Sequence, residues 1–153
     1  MNPKASARAA AVVVAAALSL SGCALMSPVQ TDHPYQASDG VNLNLGEGLE
    51  VRGLVVVGGE EKDGPGRVAG QVLNTTGDDV SVTFGTEAGR ATATVPAHSS
   101  VNLAEEDVTL DKVPAVAGDL VPLSISAAST GDNVLEVPVV TATGYYEDLK
   151  PTS

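Results

Sequence analysis

Val80-Ser81-Val82-Thr83-Phe84-Gly85 alternates apolar and small polar residues without a break. A period of two sends successive side chains to opposite faces of a strand, so Val80, Val82 and Phe84 point to a core and Ser81 and Thr83 to water. The same alternation follows in Ala91, Ala93 and Val95, separated by Thr92 and Thr94. It returns in Val121, Leu123, Ile125 and Ala127, separated by Pro122, Ser124 and Ser126. Leu135, Val137 and Val139 close the set, with Pro138 marking this last run as an edge strand.

Upstream of the opening stretch, Leu49 to Val57 reads as a strand with Val51, Val55 and Val57 on one face. Gly58–Gly66, carrying Glu60, Glu61, Lys62 and Asp63, reads as a solvated loop before a strand from Arg67 to Leu73. Asn74-Thr75-Thr76-Gly77-Asp78, Pro96-Ala97-His98-Ser99-Ser100 and Ser129-Thr130-Gly131-Asp132-Asn133 are turns, and a weaker run spans Val108 to Val113. No stretch after Gly40 keeps a helical period over three turns. Short strands with turns every 8–12 residues predict an all-β fold, an immunoglobulin-like β-sandwich of seven to nine strands over residues 41–144, with a tail at 145–153. Phe84 is the only Phe and Trp is absent, so the core must be built from Val, Leu and Ala.

The N-terminal region has a different character. Lys4 and Arg8 precede an apolar run of 12 residues, Ala9 to Leu20. That is too short for a bilayer, which needs roughly 20 apolar residues, and it has the layout of an export signal over residues 1–22. Leu20-Ser21-Gly22-Cys23 matches the lipobox of bacterial lipoproteins: an aliphatic residue, two small ones at the scissile bond, then a thiol to receive lipid. Cleavage before Cys23 and lipidation on it place the chain on the extracytoplasmic face of the cell membrane. Residues 23–40 then form the lipidated cysteine and a tether, whose 15 residues from Ala24 to Ser38 average about 20 Å as coil and reach about 50 Å stretched. Cys23 is the only cysteine, so no disulfide forms within the chain.

The full chain carries a net charge of −11. Without residues 1–22, six basic residues face nineteen acids, which leaves −13. This balance excludes nucleic acid as a partner and argues against electrostatic docking on anionic lipid heads. Attachment to the membrane then falls to the lipid on Cys23, and the acidity itself serves solubility.

No reaction chemistry is assembled. His33 and His98 are the only histidines, and His33 lies in the tether. His98 beside Ser99 and Ser100 sits in a turn without a G-x-S-x-G elbow, so no catalytic residue and no enzymatic activity are expected. Met26, His33 and His98 are the usable soft-metal donors, two of them in the tether, so neither a metal site nor a cofactor is expected. Glu105-Glu106-Asp107 and Asp78-Asp79 could offer oxygen to calcium but lack a D-x-D-x-D-G loop. Gly64-Pro65-Gly66 with Gly70 has the wrong spacing for a phosphate loop, and Asn74-Thr75-Thr76 reads as a turn rather than a glycosylation site. Tyr145-Tyr146 is the candidate binding surface, either packed over the end of the sandwich or open to a partner.

Taken with the lipobox, Asp39-Gly40-Val41-Asn42, Val80-Ser81-Val82-Thr83, Val95-Pro96-Ala97 and Val137-Pro138-Val139 give a chain that resembles the small actinobacterial envelope lipoproteins of the Lpq type. The resemblance implies an immunoglobulin-like domain at the cell surface and no particular reaction. More distantly, the chain is similar to periplasmic copper-chaperone sandwiches, from which it departs by lacking their Met/His ligand set. The expectation is a membrane-anchored lipoprotein whose sandwich binds or scaffolds an envelope protein partner; the alternative is a metal-handling lipoprotein.

Overall fold

The computed structural model describes residues 39–151; the signal region, Leu20, Ser21, Gly22, Cys23 and the tether up to Ser38 lie outside them. Among the described residues the chain is all-β, with nine strands and no α-helix. No helix among them is long and apolar enough to cross a membrane.

The opening alternation becomes β4 (Val80–Gly85), paired antiparallel with β5 (Arg90–Val95) in unbroken register from Val80↔Val95 to Gly85↔Arg90. Val82, Phe84, Ala93 and Val95 are buried, while Ser81–Thr94 and Thr83–Thr92 meet as hydroxyl pairs on the solvent side at 3.3 and 3.1 Å. On the other edge of β4 lies β8 (Leu120–Ala127), burying Val121, Leu123, Ile125 and Ala127. A turn through Ala128-Ser129-Thr130 leads into β9 (Gly131–Val140), where Gly131 takes φ of 68°, a left-handed value that favours glycine.

The second layer centres on β2 (Leu49–Gly58) and β3 (Gly64–Asn74), an antiparallel pair. The outer edge of β3 is shared by β6 (Ser99–Asn102) over residues 71–74 and β7 (Thr109–Val113) over 64–67. The first half of β2's other edge is covered by β1 (Val41–Gly46). Its second half receives β9, which runs antiparallel to β8 as far as Pro138 and then parallel to β2 at Val139 and Val140. One strand thus belongs to both layers, and the expected sandwich is a nine-stranded sheet folded on itself until it nearly closes.

Three local expectations are corrected. Val51, Val55 and Val57 do not share a face. The β2–β3 register shifts between Arg52 and Val55, where Gly53 adopts φ of 60°, and this bulge reverses the phase of the strand. Leu49, Val51, Leu54 and Val56 enter the main core, and Val55 and Val57 emerge on the outer face. Gly64-Pro65-Gly66 is not loop but the start of β3. Pro138 does not mark an edge strand, because β9 lies between β8 and β2. It sits where β9 changes partner, a place where a missing N–H disturbs the ladder least.

Candidate binding site on the outer face of the second sheet

The bulge at Gly53 creates a problem that the C-terminus solves. Val55 and Val57, with Ala69 from β3, form a small apolar patch on the side of the sheet away from the main core. Over it lies a 3₁₀ turn, Gly144–Leu149. With three residues per turn, Tyr146 and Leu149 fall on the same side. Both pack on the patch together with Ala104, Val140 and Ala142. Lys150 pins the end of the segment to Glu60 at 3.0 Å.

The paired tyrosines therefore divide their roles. Tyr146 is half-buried against the patch, and the carboxylate of Asp39 lies near enough to bear on its hydroxyl. Burial above all, then the negative charge of Asp39, raises its pKa above the usual 10.0. Tyr145 is 91% exposed. The two rings meet edge to face, with centroids 5.2 Å apart and planes at 86°.

Beside this aromatic corner runs an open groove of about 630 Å³. Its floor is Gly53, Val55, Ala69 and Gly70, its rim includes Arg52 and Asn102, and the tyrosines and Asp148 form a wall. Backbone meets backbone at this floor. A Cβ on Gly40 would lie 2.3 Å from the carbonyl carbon of Gly53, and one on Gly70 would lie 3.0 Å from the Arg52 oxygen. Gly40 therefore lines the groove, packed backbone to backbone on Gly53.

The local charge is negative. Arg52 is committed to Glu50, its Nε and Nη2 donating to Oε2 at 3.0 and 2.5 Å. Among the described residues no ion pair engages Glu147 or Asp148.

The remaining sequence candidates lie elsewhere. His98 is exposed in the β5–β6 turn at φ of 51°, and its N–H donates to the Thr76 carbonyl. Asp79 accepts from the Ala97 amide, Glu105 from the Asn102 side chain, and Asp107 pairs with Arg67 at 3.5 Å, so these acids serve local structure. Asn74 is fully buried. Its Nδ2 donates to the carbonyls of Asp78, Val95 and Pro96, and its Oδ1 accepts from the amide and hydroxyl of Thr76. Asn74-Thr75-Thr76 is thus a structural turn closed by the Asn74 side chain. The apolar patch is not legible in the sequence alternation, although a lone glycine inside a strand pattern is itself a bulge signal.

No family model matches the chain, and no curated protein matches it. Among solved structures it is similar to three PCuAC domains. The copper-bound domain from PmoF2 shares 14% identity at a TM-score of 0.50, covering 66% of this chain and 98% of that domain. The apo domain from PmoF1 shares 12% identity at a TM-score of 0.53, covering 66% and 99%. The apo PmoF2 domain shares 12% identity at 0.51, covering 68% and 98%. The likeness is one of fold.

Copper itself does not fit the residues described. Cu(I) favours thiolate, thioether and imidazole donors. Residues 39–151 contain no Cys, no Met and one histidine, the exposed His98. No cluster of three or more His, Cys, Asp or Glu able to hold a metal exists among the described residues.

Proposed function

We propose that this chain is an envelope lipoprotein of the Lpq kind, cleaved before Cys23, lipidated there, and held on the extracytoplasmic face of the membrane with its sandwich acting as a non-enzymatic binding or scaffolding domain. The signal region over 1–22, the tether over 23–40, the sandwich over 41–144 and the tail over 145–153 are its working parts. The observation that carries the binding role is the exposed Tyr145 standing beside a groove lined by Gly40, Gly53 and Gly70. A large aromatic left in water beside a groove is the feature that a partner would cover. The lipid address rests on the Leu20-Ser21-Gly22-Cys23 pattern.

Two measurements test this. Palmitate labelling of the expressed chain is expected to add lipid that Cys23→Ser removes; an unlabelled wild type ends the anchor reading. A photo-crosslinking residue at position 145 is expected to capture an envelope partner that the same residue at position 81, on the opposite sheet, does not. Equal capture from both positions, or none from 145, would overturn the assignment of this face.

A metal-handling role is the second reading, favoured by the fold shared with a copper-bound PCuAC domain. The donor set of the described residues weighs against it. Titration of residues 24–153 with copper is expected to give neither heat nor a melting shift, and a stoichiometric response would restore it.

A further inference from the structure

We infer that the groove receives a basic protein segment, seating an arginine or lysine side chain against the Tyr145–Tyr146 corner with Asp148 and Asp39 as counter-charges. The inference rests on the reading of this face as a binding surface and names its ligand class. Three observations lead to it.

The first is the corner. Two ring planes at 86° with centroids 5.2 Å apart present π faces in two directions, and Tyr145 is 91% exposed. A cation within about 6 Å of a ring centroid is attracted by the ring quadrupole, and guanidinium most often. The packing of Tyr146 on Val55, Val57 and Ala69 holds one ring of the corner in place.

The second is the field. The cations around the groove are paired, Arg52 with Glu50, Arg67 with Asp107 and the Ala104 carbonyl, and Lys150 with Glu60. Asp39, Glu147 and Asp148 remain to set the local sign. An anionic ligand is repelled here, and a neutral glycan would gain stacking but nothing from the charge. The net charge of −11 adds long-range attraction for a basic partner.

The third is shape. A groove of about 630 Å³ is large enough for one or two long side chains. Gly53 on its floor has open space where a Cβ would stand, so an extended backbone can approach closely there.

The test uses the full-length chain, calorimetry, and three probes: a Gly/Ser decapeptide carrying three arginines, the same peptide carrying three glutamates, and chitohexaose. The arginine peptide is expected to bind saturably, and about tenfold more weakly when NaCl is raised from 50 to 500 mM. Tyr145→Phe should keep binding within about threefold, Tyr145→Leu should weaken it about 3- to 30-fold, and Asp148→Asn should weaken it as well. Position 145 is exposed, so these variants retain the fold. The inference is overturned if the arginine peptide does not saturate, if Phe and Leu behave alike, or if the glutamate peptide or chitohexaose binds as tightly. Should the arginine peptide fail while crosslinking from position 145 still captures a partner, the binding face stands and its basic ligand does not. Failure of both removes both.

Discussion

At Asn74 a single amide ties together pieces of chain that meet only in the folded state. Its Nδ2 reaches Asp78 within its own turn and the carbonyls of Val95 and Pro96 at the end of β5. Asn74→Ala leaves the buried Val95 carbonyl and the partly buried Asp78 and Pro96 carbonyls without this donor, and the expected cost is about 1–3 kcal/mol, read as a lower urea midpoint at unchanged slope. Asn74→Asp should do no better, since it turns a carboxylate oxygen toward oxygens. A change below about 0.5 kcal/mol would contradict this account. The sequence marks Asn74-Thr75-Thr76 as a turn, but it does not mark the burial, because two of the partners lie 21 and 22 residues away. Gly53 is legible in hindsight at the same scale. Its φ of 60° is a backbone demand that only the register shift makes visible.

Among the elements, β4 and β8 were readable because one of their faces is core and the other is water throughout. β2 was misread because a bulge changes its phase midway, and a strand that is apolar on both faces carries no alternation to reveal it. The segment after β9 looked like a tail for a related reason. Tyr146 and Leu149 are only two apolar contacts, and the patch that receives them is created by the bulge. Ending the chain after Thr143 uncovers Val55, Val57 and Ala69 and should cost about 2–4 kcal/mol, with increased dye binding at the exposed patch. Unchanged stability would mean that the segment does not hold the sheet.

Tyr146 also gives this element a pH signature. Its folded pKa is raised above 10.0, so the docked segment favours the neutral phenol. The stabilisation is fully present below about pH 10 and is lost as pH climbs through the raised folded value. Absorbance at 295 nm should show one tyrosine ionising later than the others, and Tyr146→Phe should abolish that late step. A late step that persists in Tyr146→Phe would assign it elsewhere.

For the molecule as a whole, stability rests on packing without cross-links, since Cys23 has no partner. Phe84 is the one phenylalanine and is wholly buried among valines and leucines. Phe84→Ala should therefore cost about 3–5 kcal/mol, measured by denaturant titration; a loss under about 1 kcal/mol would show that the core collapses around the gap. Fold class is readable at this scale from strand spacing, and Tyr145-Tyr146 marks one wall of the proposed binding face, whereas the groove beside it is not legible, because it is assembled from β2, β3 and the 3₁₀ turn, which are far apart in sequence.

The passage of β9 from β8 to β2 has a kinetic consequence. A sandwich made of two independent sheets can open along the seam between them, one leaf detaching while the other persists. Here the seam is crossed by a continuous strand, paired with β8 as far as Pro138 and with β2 at Val139 and Val140, while the Val139 amide and carbonyl still bond to Asp119 and Gly118 just before β8. Opening either leaf must then pull on the other. Amide hydrogen exchange should report one shared opening free energy for the protected cores of both sheets, with Val56 and Val139 among the last to exchange.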